Sequence, residues 1–365
     1  MSLLRVGIVG LRRGSSFFTF NLFPEARVVA VCDVEPEILK RVAREHQVPG
    51  RYVNYLDMVR GADLDIVVVA TPLLLHAEQA IQALDAGLHV LSEVTAAASM
   101  EECYRLVDAV ERSGCQYMMA ENYCYIKENV LLKQLIKAGK FGELYFGEGE
   151  YVHDCKSLMY NPDGSLTWRG WMARHLNGNL YPTHSLGPLY QMFQERVASV
   201  CCLGSGVHTV PDAKSEDAVI TLCKTVSGKL LKLRYDVVSY RPHNMRYYSL
   251  QGTRGCYEAP RGLGDDHKVW FMDDCLDPQA WKPLREYEDA YLPEEWKHPP
   301  PEALETGHWG SDYFIVRDFL DAVLHDERPP IDVYDAVNMT APGLASQESI
   351  ARGGAPVPVP DFRKR

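Results

Sequence analysis

Positions 3–16, LLRVGIVGLRRGSS, decide the fold, because an apolar run ends there at Gly10 and a helix is expected to follow. A strand that passes through a glycine turn into a helix opens a dinucleotide-binding βαβ unit. Counted from Gly10, the second and third slots of the pattern G-x-G-x-x-G hold Arg12 and Ser15, and Gly14 stands one position early. The loop predicts a pyrophosphate site at the helix N-terminus, although such turns also carry glycine for geometry alone.

An acidic residue follows the second apolar run, residues 27–32, as Asp33. In a dinucleotide site, an acid at this place accepts hydrogen bonds from the adenosine ribose and disfavours a 2′-phosphate. The sequence therefore predicts NAD rather than NADP, and a solvated strand end is the alternative for Asp33. Arg12 and Arg13 either lie against the pyrophosphate or face solvent.

On both sides of this loop, short apolar strands alternate with helices through the first third of the chain. The predicted strands are 3–9, 27–32, 65–70, 88–91 and 116–119, and the predicted helices are 35–46, 75–86 and 99–112. Ser99 and Glu102 form a capping box at the start of the last helix. Fully apolar strands separated by helices predict a doubly wound parallel sheet, with its ligand crevice at the carboxyl ends of the strands. Residues 1–121 are therefore assigned to a Rossmann domain.

Residues 122–365 differ, because alternating polar and apolar strands replace the fully apolar ones. The predicted strands are 144–152, 198–203, 218–223, 230–238 and 247–251, and the predicted helices are 126–138, 311–324 and 333–351. This pattern predicts an α+β domain with a large, mostly antiparallel open sheet. We expect this domain to bind substrate and to mediate oligomerisation, and its C-terminal helices are candidates for packing on the first domain.

Composition narrows the class of protein. The 365 residues carry a formal charge of −11 and are 46% hydrophobic. The acidic balance argues against a nucleic acid partner, since phosphate binding needs surplus Lys and Arg. We expect no membrane span and no signal peptide, because no stretch approaches about 18 apolar residues and no basic segment precedes an apolar one. The 10 cysteines form no C-x-x-C pair, which favours buried thiols and a reducing, cytoplasmic location.

The run from 65 to 93 carries further motifs. Thr71-Pro72 follows a strand, His76 stands four residues after the proline, and Glu93 opens the sequence Glu-Val-Thr. This order resembles the Gfo/Idh/MocA oxidoreductases. The resemblance implies that Thr71, Pro72 and His76 bind the cofactor and that Glu93 faces the nicotinamide ribose. Asn122, after the last predicted strand of the first domain, is expected near the cofactor as well.

Two departures separate the chain from the ordinary dehydrogenases of that family. Their Glu-Lys-Pro motif supplies a lysine that polarises the substrate oxygen, whereas Val94 and Thr95 stand here. They also carry an Asp four residues before their catalytic His, a slot that holds Leu180 if His184 is that His. A valine and a leucine carry no titratable proton.

A narrower branch is closer to this pattern. The blocks 93–97, 121–125, 151–154 and 178–188 resemble the NAD-dependent α-N-acetylgalactosaminidases of glycoside hydrolase family 109. The resemblance implies a redox-neutral hydrolysis. A sugar is oxidised at C3 by NAD⁺, the C2 proton and the C1 substituent are lost, water adds, and C3 is reduced again. It also implies a small-molecule sugar or glycoside as substrate, and by analogy a homo-oligomer, either a dimer or a tetramer.

Four residues are candidates for moving protons or orienting the sugar in this reaction. His184 comes first, because imidazole changes charge near neutral pH. Tyr181 and Tyr125 are further candidates, since a nicotinamide charge would stabilise a phenolate, and aromatic packing is their equal alternative. His153 is expected to orient the substrate, and a strand end salt-bridged through Asp154 is the alternative.

Other chemistries stay open. An ordinary NAD-dependent sugar or polyol dehydrogenase with a different proton relay is one alternative, and a cofactor-binding protein without catalysis is another. Glu148 and Glu150 share one face of a predicted strand, as a two-carboxylate glycosidase needs, but a solvated sheet edge explains them equally well. No metal site is predicted, because the histidines lack the H-x-x-x-H and H-E-x-x-H spacings.

Overall fold

The computed structural model describes residues 3–274 and 277–364. The chain divides into two compact units. The first unit comprises Met1–Tyr125, Pro299–Val337 and Phe362–Arg365, and the second comprises Ile126–His298 and Asn338–Asp361. Among the described helices, none is both long enough and apolar enough to cross a membrane.

The first unit contains a parallel sheet in the order β3-β2-β1-β4-β5-β6. Its strands are β1 Leu4–Val9, β2 Ala26–Cys32, β3 Gly50–Tyr52, β4 Ile66–Val69, β5 His89–Ser92 and β6 Tyr117–Met119. Neighbouring strands all pair in parallel, which confirms the predicted doubly wound sheet. The strand order reverses beside β1, and ligands of such sheets bind at this switch point. The edge strand β3 was not predicted, because it has only three residues and none of them is buried.

Helices cover this sheet. In the first unit they include Pro36–Glu45, Tyr55–Gly61, His76–Asp85, Met100–Ser113 and Ser311–His325. The predicted cap at Ser99 is confirmed, since its hydroxyl accepts the Glu102 N–H at 3.1 Å. Glu102 returns a contact, but it accepts the N–H of Ala98 at 2.7 Å. Two otherwise unpaired donors at the helix start are thereby satisfied.

The second unit contains an open sheet in the order β14-β13-β12-β11-β7-β10-β9-β8-β15. Its strands are β7 Leu144–Val152, β8 Val197–Gly204, β9 Val219–Thr225, β10 Leu230–Asp236, β11 Asn244–Gly252, β12 Gly255–Glu258, β13 Lys268–Phe271, β14 Lys282–Pro283 and β15 Val357–Pro358. Among the described strands of this second sheet, only β7 and β10 pair in parallel, so the predicted mostly antiparallel sheet is confirmed. The strands β12 to β15 were missed because they are short.

One face of this sheet is packed by a helix that the sequence did not predict, Thr183–Phe193. Glycines on β7 allow the close approach: a Cβ at Gly149 would lie 2.2 Å from the carbonyl oxygen of Ser185, which is far inside contact distance. The other helices of this unit include Lys127–Lys137 and Trp168–His175, and Val333–Ala351 runs through both units. The sheet and the packed helix together fix the position of His184, which lies in the first turn of this helix.

Candidate functional site

The nucleotide loop of the first unit is shaped by two glycines. Gly10 has a φ of 86°, and a Cβ there would lie 2.5 Å from the carbonyl oxygen of Ala70. A Cβ at Gly14 would meet Ile8 Cγ2 on β1 at 2.7 Å. Gly10 therefore makes the tight turn, and Gly14 lets the helical turn pack on the strand, which is the role of the third glycine in the fingerprint.

Asp33, directly after β2, is buried and fixes this loop. One carboxylate oxygen accepts the N–H of Leu11 at 2.8 Å, and the other accepts the N–H of Glu35 at 2.9 Å. Each oxygen of an ionised carboxylate keeps a further lone pair, so hydrogen bonds from ribose hydroxyls are compatible with these contacts. That Asp33 binds the ribose stays a prediction.

Three side chains of the loop were expected near the pyrophosphate, and each has a partner in the first unit. Arg12 pairs with Glu35 at 2.8 Å on the surface. The hydroxyl of Ser15 donates to the carbonyl oxygen of Leu11 at 2.5 Å. Arg13 turns towards Glu93 instead, as described next. Their contacts with the cofactor stay predictions.

A buried ion network joins the loop to the Glu-Val-Thr motif. Arg13 Nε lies 2.7 Å from Glu93 Oε1, and its Nη1 donates to Asp312 Oδ2 at 2.9 Å. Burial acts to raise the pKa of Asp312, but the hydrogen bond from His308 and the charge of Arg13 outweigh it and hold that pKa well below its usual range. The guanidinium therefore fixes the orientation of Glu93, the residue expected at the nicotinamide ribose.

His76 connects two loops at the carboxyl edge of the parallel sheet. Its Nε2 lies 2.7 Å from the carbonyl oxygen of Thr71, after β4, and its Nδ1 lies 2.8 Å from that of Thr95, after β5. Burial lowers the pKa of His76, and the two carbonyl groups and Glu93 oppose that shift. His76 thus positions the backbone around Thr71-Pro72 and around the Val94–Thr95 peptide, which is cis.

Asn122, which follows β6, provides a test of whether the site suits a dinucleotide. Its side chain is buried, and its amide oxygen has no hydrogen-bond donor among the described residues. A buried acceptor without a donor costs about 1–3 kcal/mol, so a ligand that donates there is favoured. The glycine turn, the carboxylate of Asp33 and this unpaired oxygen are compatible with a bound dinucleotide, and the contact of Asn122 with it stays a prediction.

Tyr125 was expected to move protons as a phenolate. It is buried in the first unit, where Ser311 Oγ donates to its carbonyl oxygen at 3.0 Å. Burial raises the pKa of Tyr125 well above its ordinary value, and the charge of Asp318 adds to the shift. The surrounding protein therefore favours the neutral phenol, which is a hydrogen-bond donor and a weak base.

The second unit brings the other three predicted catalytic residues together around Tyr151. The ring centroid of Tyr151 lies 5.0 Å from that of His184, 5.8 Å from Tyr181 and 5.9 Å from His153. Tyr181 and His184 are also 5.0 Å apart. These residues and His243 are called the aromatic cluster below. Tyr151 lies within the block 151–154 that resembles family 109, but it was not predicted as a site residue.

His243 was also missed, although it directly follows the Arg-Pro pair at 241–242. Its ring centroid lies 4.3 Å from that of His153, and its Nδ1 accepts the N–H of Asp154 at 3.3 Å. Burial lowers the pKa of His153, and His243 and Arg169 lower it further. His153 is therefore neutral near pH 7, and its Nδ1 is buried without a partner among the described residues. Asp154 pairs with Lys156 at 2.7 Å.

The position of His184 depends on a proline in its own helix. Pro188 has no N–H, so the carbonyl oxygen of His184, four residues earlier, lacks its helical donor. The hydroxyl of Tyr248 on β11 donates to that oxygen instead. A residue of the sheet thereby holds the backbone of the leading proton-transfer candidate.

The other chemistries find less support. Glu148 pairs with Lys232 at 3.1 Å and Glu150 with Arg261 at 2.9 Å, so each of the two acids has a cation partner. Within residues 3–274 and 277–364, no group of three or more His, Cys, Asp or Glu side chains is arranged to hold a metal ion.

Comparison with known proteins agrees with this geometry. Residues 4–121 match the model of the oxidoreductase family with an NAD-binding Rossmann fold. Residues 125–200 and 208–365 match that of the glycosyl hydrolase 109 C-terminal domain. Fold and site thus define a Gfo/Idh/MocA-type protein with an NAD-binding domain.

Curated relatives extend over the full chain. A glycosyl hydrolase family 109 protein of Streptomyces filamentosus is 32% identical, with 100% of this chain and 78% of the relative covered. Another, of Solibacter usitatus (strain Ellin6076), is 29% identical over 99% of this chain and 88% of the relative. The chain belongs to glycosyl hydrolase family 109.

Solved structures share the fold. Levoglucosan dehydrogenase in complex with NADH superposes with a TM-score of 0.83 at 22% identity, covering 99% of this chain and 100% of that one. The scyllo-inositol dehydrogenase from Lactobacillus casei, with bound NAD(H) and scyllo-inositol, gives 0.75 at 17% identity, with 98% and 99% covered. The expected cofactor, NAD, is confirmed by the family match together with these neighbours.

Proposed function

We propose that the protein is an NAD-dependent glycosidase that hydrolyses a sugar glycoside without net oxidation. The aromatic cluster carries the proposal, since it gathers His184, Tyr181 and His153 in a chain that has Val94 where the dehydrogenases have lysine. Membership of family 109 supports the same conclusion.

In this proposal, separate residues of the chain bind the cofactor, transfer protons and orient the sugar. NAD, when bound, supplies reversible hydride acceptance at sugar C3. His184 takes and returns a proton at an imidazole nitrogen, and Tyr181, in contact with it, is the second proton carrier. His153, held neutral, orients a sugar hydroxyl through a hydrogen bond. Glu93, Asn122 and Asp33 would bind the cofactor.

Incubation of the purified protein with aryl glycosides tests the proposal. We expect release of the leaving group without stoichiometric NADH, together with exchange of the sugar C2 hydrogen in D₂O. A leaving group released with no C2 exchange would contradict the elimination route. NAD binding with neither product would indicate a cofactor-binding protein without catalysis.

A sugar or polyol dehydrogenase is the second candidate. The fold similarity to levoglucosan dehydrogenase favours it, because the whole chain superposes on that enzyme. In this case NADH would accumulate when a free sugar is supplied with NAD⁺, and glycosides would stay intact. The same incubation therefore separates the two candidates.

The oligomeric state and the compartment complete the proposal. The open sheet of the second unit supports a homo-oligomer, either a dimer or a tetramer, which light scattering of the purified protein would reveal; a monomeric mass would refute it. Within the part of the chain that the structure describes, the cysteines form no disulfide, which supports a reducing, cytoplasmic location. A fluorescent fusion that localises outside the cytoplasm would contradict that location.

A further inference from the structure

A left-handed turn precedes the helix Ser311–His325 of the first unit. Its three consecutive residues, His308, Trp309 and Gly310, have φ values of 53°, 59° and 87°. This region of backbone conformation is routine for glycine, but a bulky side chain in it is strained. Strained residues persist only where their surroundings hold them, and they concentrate at ligand sites.

The ion network of the first unit holds this turn. The Nδ1 of His308 lies 3.3 Å from Oδ1 of the buried Asp312. A Cβ at Gly307 would lie 2.4 Å from the other carboxylate oxygen of Asp312, so the chain passes directly over that group. The N–H of Ser311 donates to the carbonyl oxygen of His308 and closes the turn. The conformation of Trp309 is therefore imposed by its neighbours on both sides.

The same contacts tie the turn to the carboxyl edge of the parallel sheet. Asp312 binds Arg13, which follows β1 and also binds Glu93, which follows β5. The hydroxyl of Ser311 donates to the carbonyl oxygen of Tyr125, which follows β6. The turn is therefore attached to segments that leave the ends of β1, β5 and β6.

The strand order shows which half of the crevice this is. In the order β3-β2-β1-β4-β5-β6, Asp33 follows β2 and so lies on the opposite side of β1 from β5 and β6. A dinucleotide lies across the switch point, with one nucleotide on each side. With the adenosine ribose expected at Asp33, the nicotinamide half is expected on the side of the turn.

The side chain of Trp309 is suited to a ligand. Its residue is 54% exposed, so the strained backbone does not serve to bury the indole in the core. An indole offers a large apolar face and an N–H donor, and among aromatic side chains its face attracts cations most strongly. The oxidised nicotinamide is a positively charged aromatic ring, which is the kind of group that such a face binds.

We propose that Trp309 is a cofactor-binding residue whose indole contacts the nicotinamide half of bound NAD. This inference rests on the NAD binding within the proposed function and does not depend on the glycosidase chemistry. The left-handed backbone at Trp309 then has a function, because it holds the indole at the crevice instead of in the core.

Trp309→Gly in the full-length protein separates a cofactor role from a structural one. Glycine adopts a φ of 59° without strain, so we expect no loss of Tm in the NAD-free protein. The Kd for NAD⁺ in calorimetry should rise about threefold or more, because a ring contact is lost. The control is Trp281→Ala, at a tryptophan of the second unit that is 46% exposed, which should leave the Kd unchanged. A wild-type Kd for NAD⁺ in Trp309→Gly would overturn the inference, even if the KM for a sugar rose.

Energy transfer from tryptophan to bound NADH gives a second test, which decides the matter if Trp309→Gly lowers the Tm. Of the 6 tryptophans in the chain, Trp309 is the one that falls in the first unit. At saturating NADH, we expect Trp309→Phe to lose a larger share of the sensitised NADH emission than Trp281→Phe, since transfer falls steeply with distance. Equal emission from the two variants would contradict the contact.

The outcomes separate this inference from the proposed function. Weaker NAD⁺ binding in Trp309→Gly, in a protein that hydrolyses no glycoside, would uphold the contact and reject the glycosidase. Glycoside hydrolysis by the wild type, together with an unchanged Kd for NAD⁺ in Trp309→Gly, would do the reverse. A wild-type protein that binds no NAD would reject both.

Discussion

At the scale of single residues, the two most informative side chains are His184 and Asp33. Each lies in a different unit and each serves a different part of the proposed reaction. His184 contacts Tyr151 and Tyr181, whereas Asp33 holds the nucleotide loop through Leu11 and Glu35. Substitutions at these positions therefore separate catalysis from cofactor binding.

His184→Ala is expected to lower kcat by at least about 100-fold, the usual contribution of a positioned acid or base, while the Kd for NAD changes little. Glycoside hydrolysis and fluorescence titration with NADH measure the two quantities. His175→Ala, which removes an exposed histidine of the same unit, is the control and should retain full activity. Retained turnover in His184→Ala would remove His184 from the reaction.

Asp33→Ala is expected to weaken NAD binding and to relax discrimination against NADP, because it removes the carboxylate that we expect to accept from the ribose and to disfavour a 2′-phosphate. Titration with NADH and NADPH gives the two Kd values. Since the carboxylate also holds two backbone amides, Asp33→Asn is the milder companion variant. An unchanged ratio of the two Kd values would mean that Asp33 does not face the ribose.

At the scale of elements, the helix Thr183–Phe193 depends on the strand beneath it. Pro188 removes one helical hydrogen bond, and β11 replaces it through Tyr248. Gly149 on β7 allows the helix backbone to approach the strand. The helix that carries His184 is thus held by the sheet as much as by its own hydrogen bonds.

Tyr248→Phe is expected to destabilise the protein by about 1–3 kcal/mol, because it leaves the buried carbonyl oxygen of His184 without its donor. We also expect a lower kcat, since that oxygen belongs to His184, the proposed proton-transfer residue. Denaturant unfolding and hydrolysis assays measure both effects. Tyr240→Phe, on a tyrosine that is 80% exposed, should change neither. Equal stability of the two variants would show that the hydroxyl of Tyr248 contributes nothing at this position.

At the scale of the whole molecule, the ion network joins distant parts of the chain. Arg13, in the first loop, binds Asp312, which is 299 positions later, and also binds Glu93. The side chain of Asp312 is completely buried, so its charge depends on the ion pair with Arg13 and on the contact with His308. The network links the return of the chain after residue 299 to the nucleotide loop of the same unit.

Arg13→Met is expected to destabilise the first unit by about 3–5 kcal/mol, since it removes the guanidinium from two buried carboxylates and leaves Asp312 with His308 as its partner. NAD binding should weaken as well, because Glu93 loses its orientation. Arg12→Met is the matched control: its ion pair with Glu35 is exposed and contributes no more than about 1 kcal/mol. Thermal unfolding measures the difference, and similar Tm values for the two variants would contradict the role of the network.

The ion network also predicts the direction in which the stability of the protein changes with pH. The pKa of Asp312 in the folded protein lies well below its usual value. The contribution of Asp312 to the free energy of unfolding is therefore fully present above the pKa of the unfolded chain, and it is lost as the pH falls through the pKa of the folded protein. Stability should therefore decline below about pH 4, the ordinary range of an Asp. Asp312→Asn, compared with wild type in acid unfolding, should reduce that slope.

The sequence by itself determined the parallel sheet, the cap at Ser99, strand β7 and the family, because each depends on local pattern or on contiguous motifs. It also indicated His184, Tyr181 and His153, which stand within such motifs. The helix around His184 could not be predicted, since Gly187 and Pro188 favour a loop unless a distant Tyr248 supplies the missing donor.

Only the tertiary structure decided which side chains meet. Arg13 was open between pyrophosphate and solvent, and it binds carboxylates because residue 312 is folded against the first loop. Tyr151 and His243 join the catalytic candidates through strand pairing, as Val152 on β7 pairs with Asn244 on β11. Local sequence specifies the elements through hydrogen bonding and apolar periodicity, whereas contacts between residues far apart in the chain depend on how those elements pack.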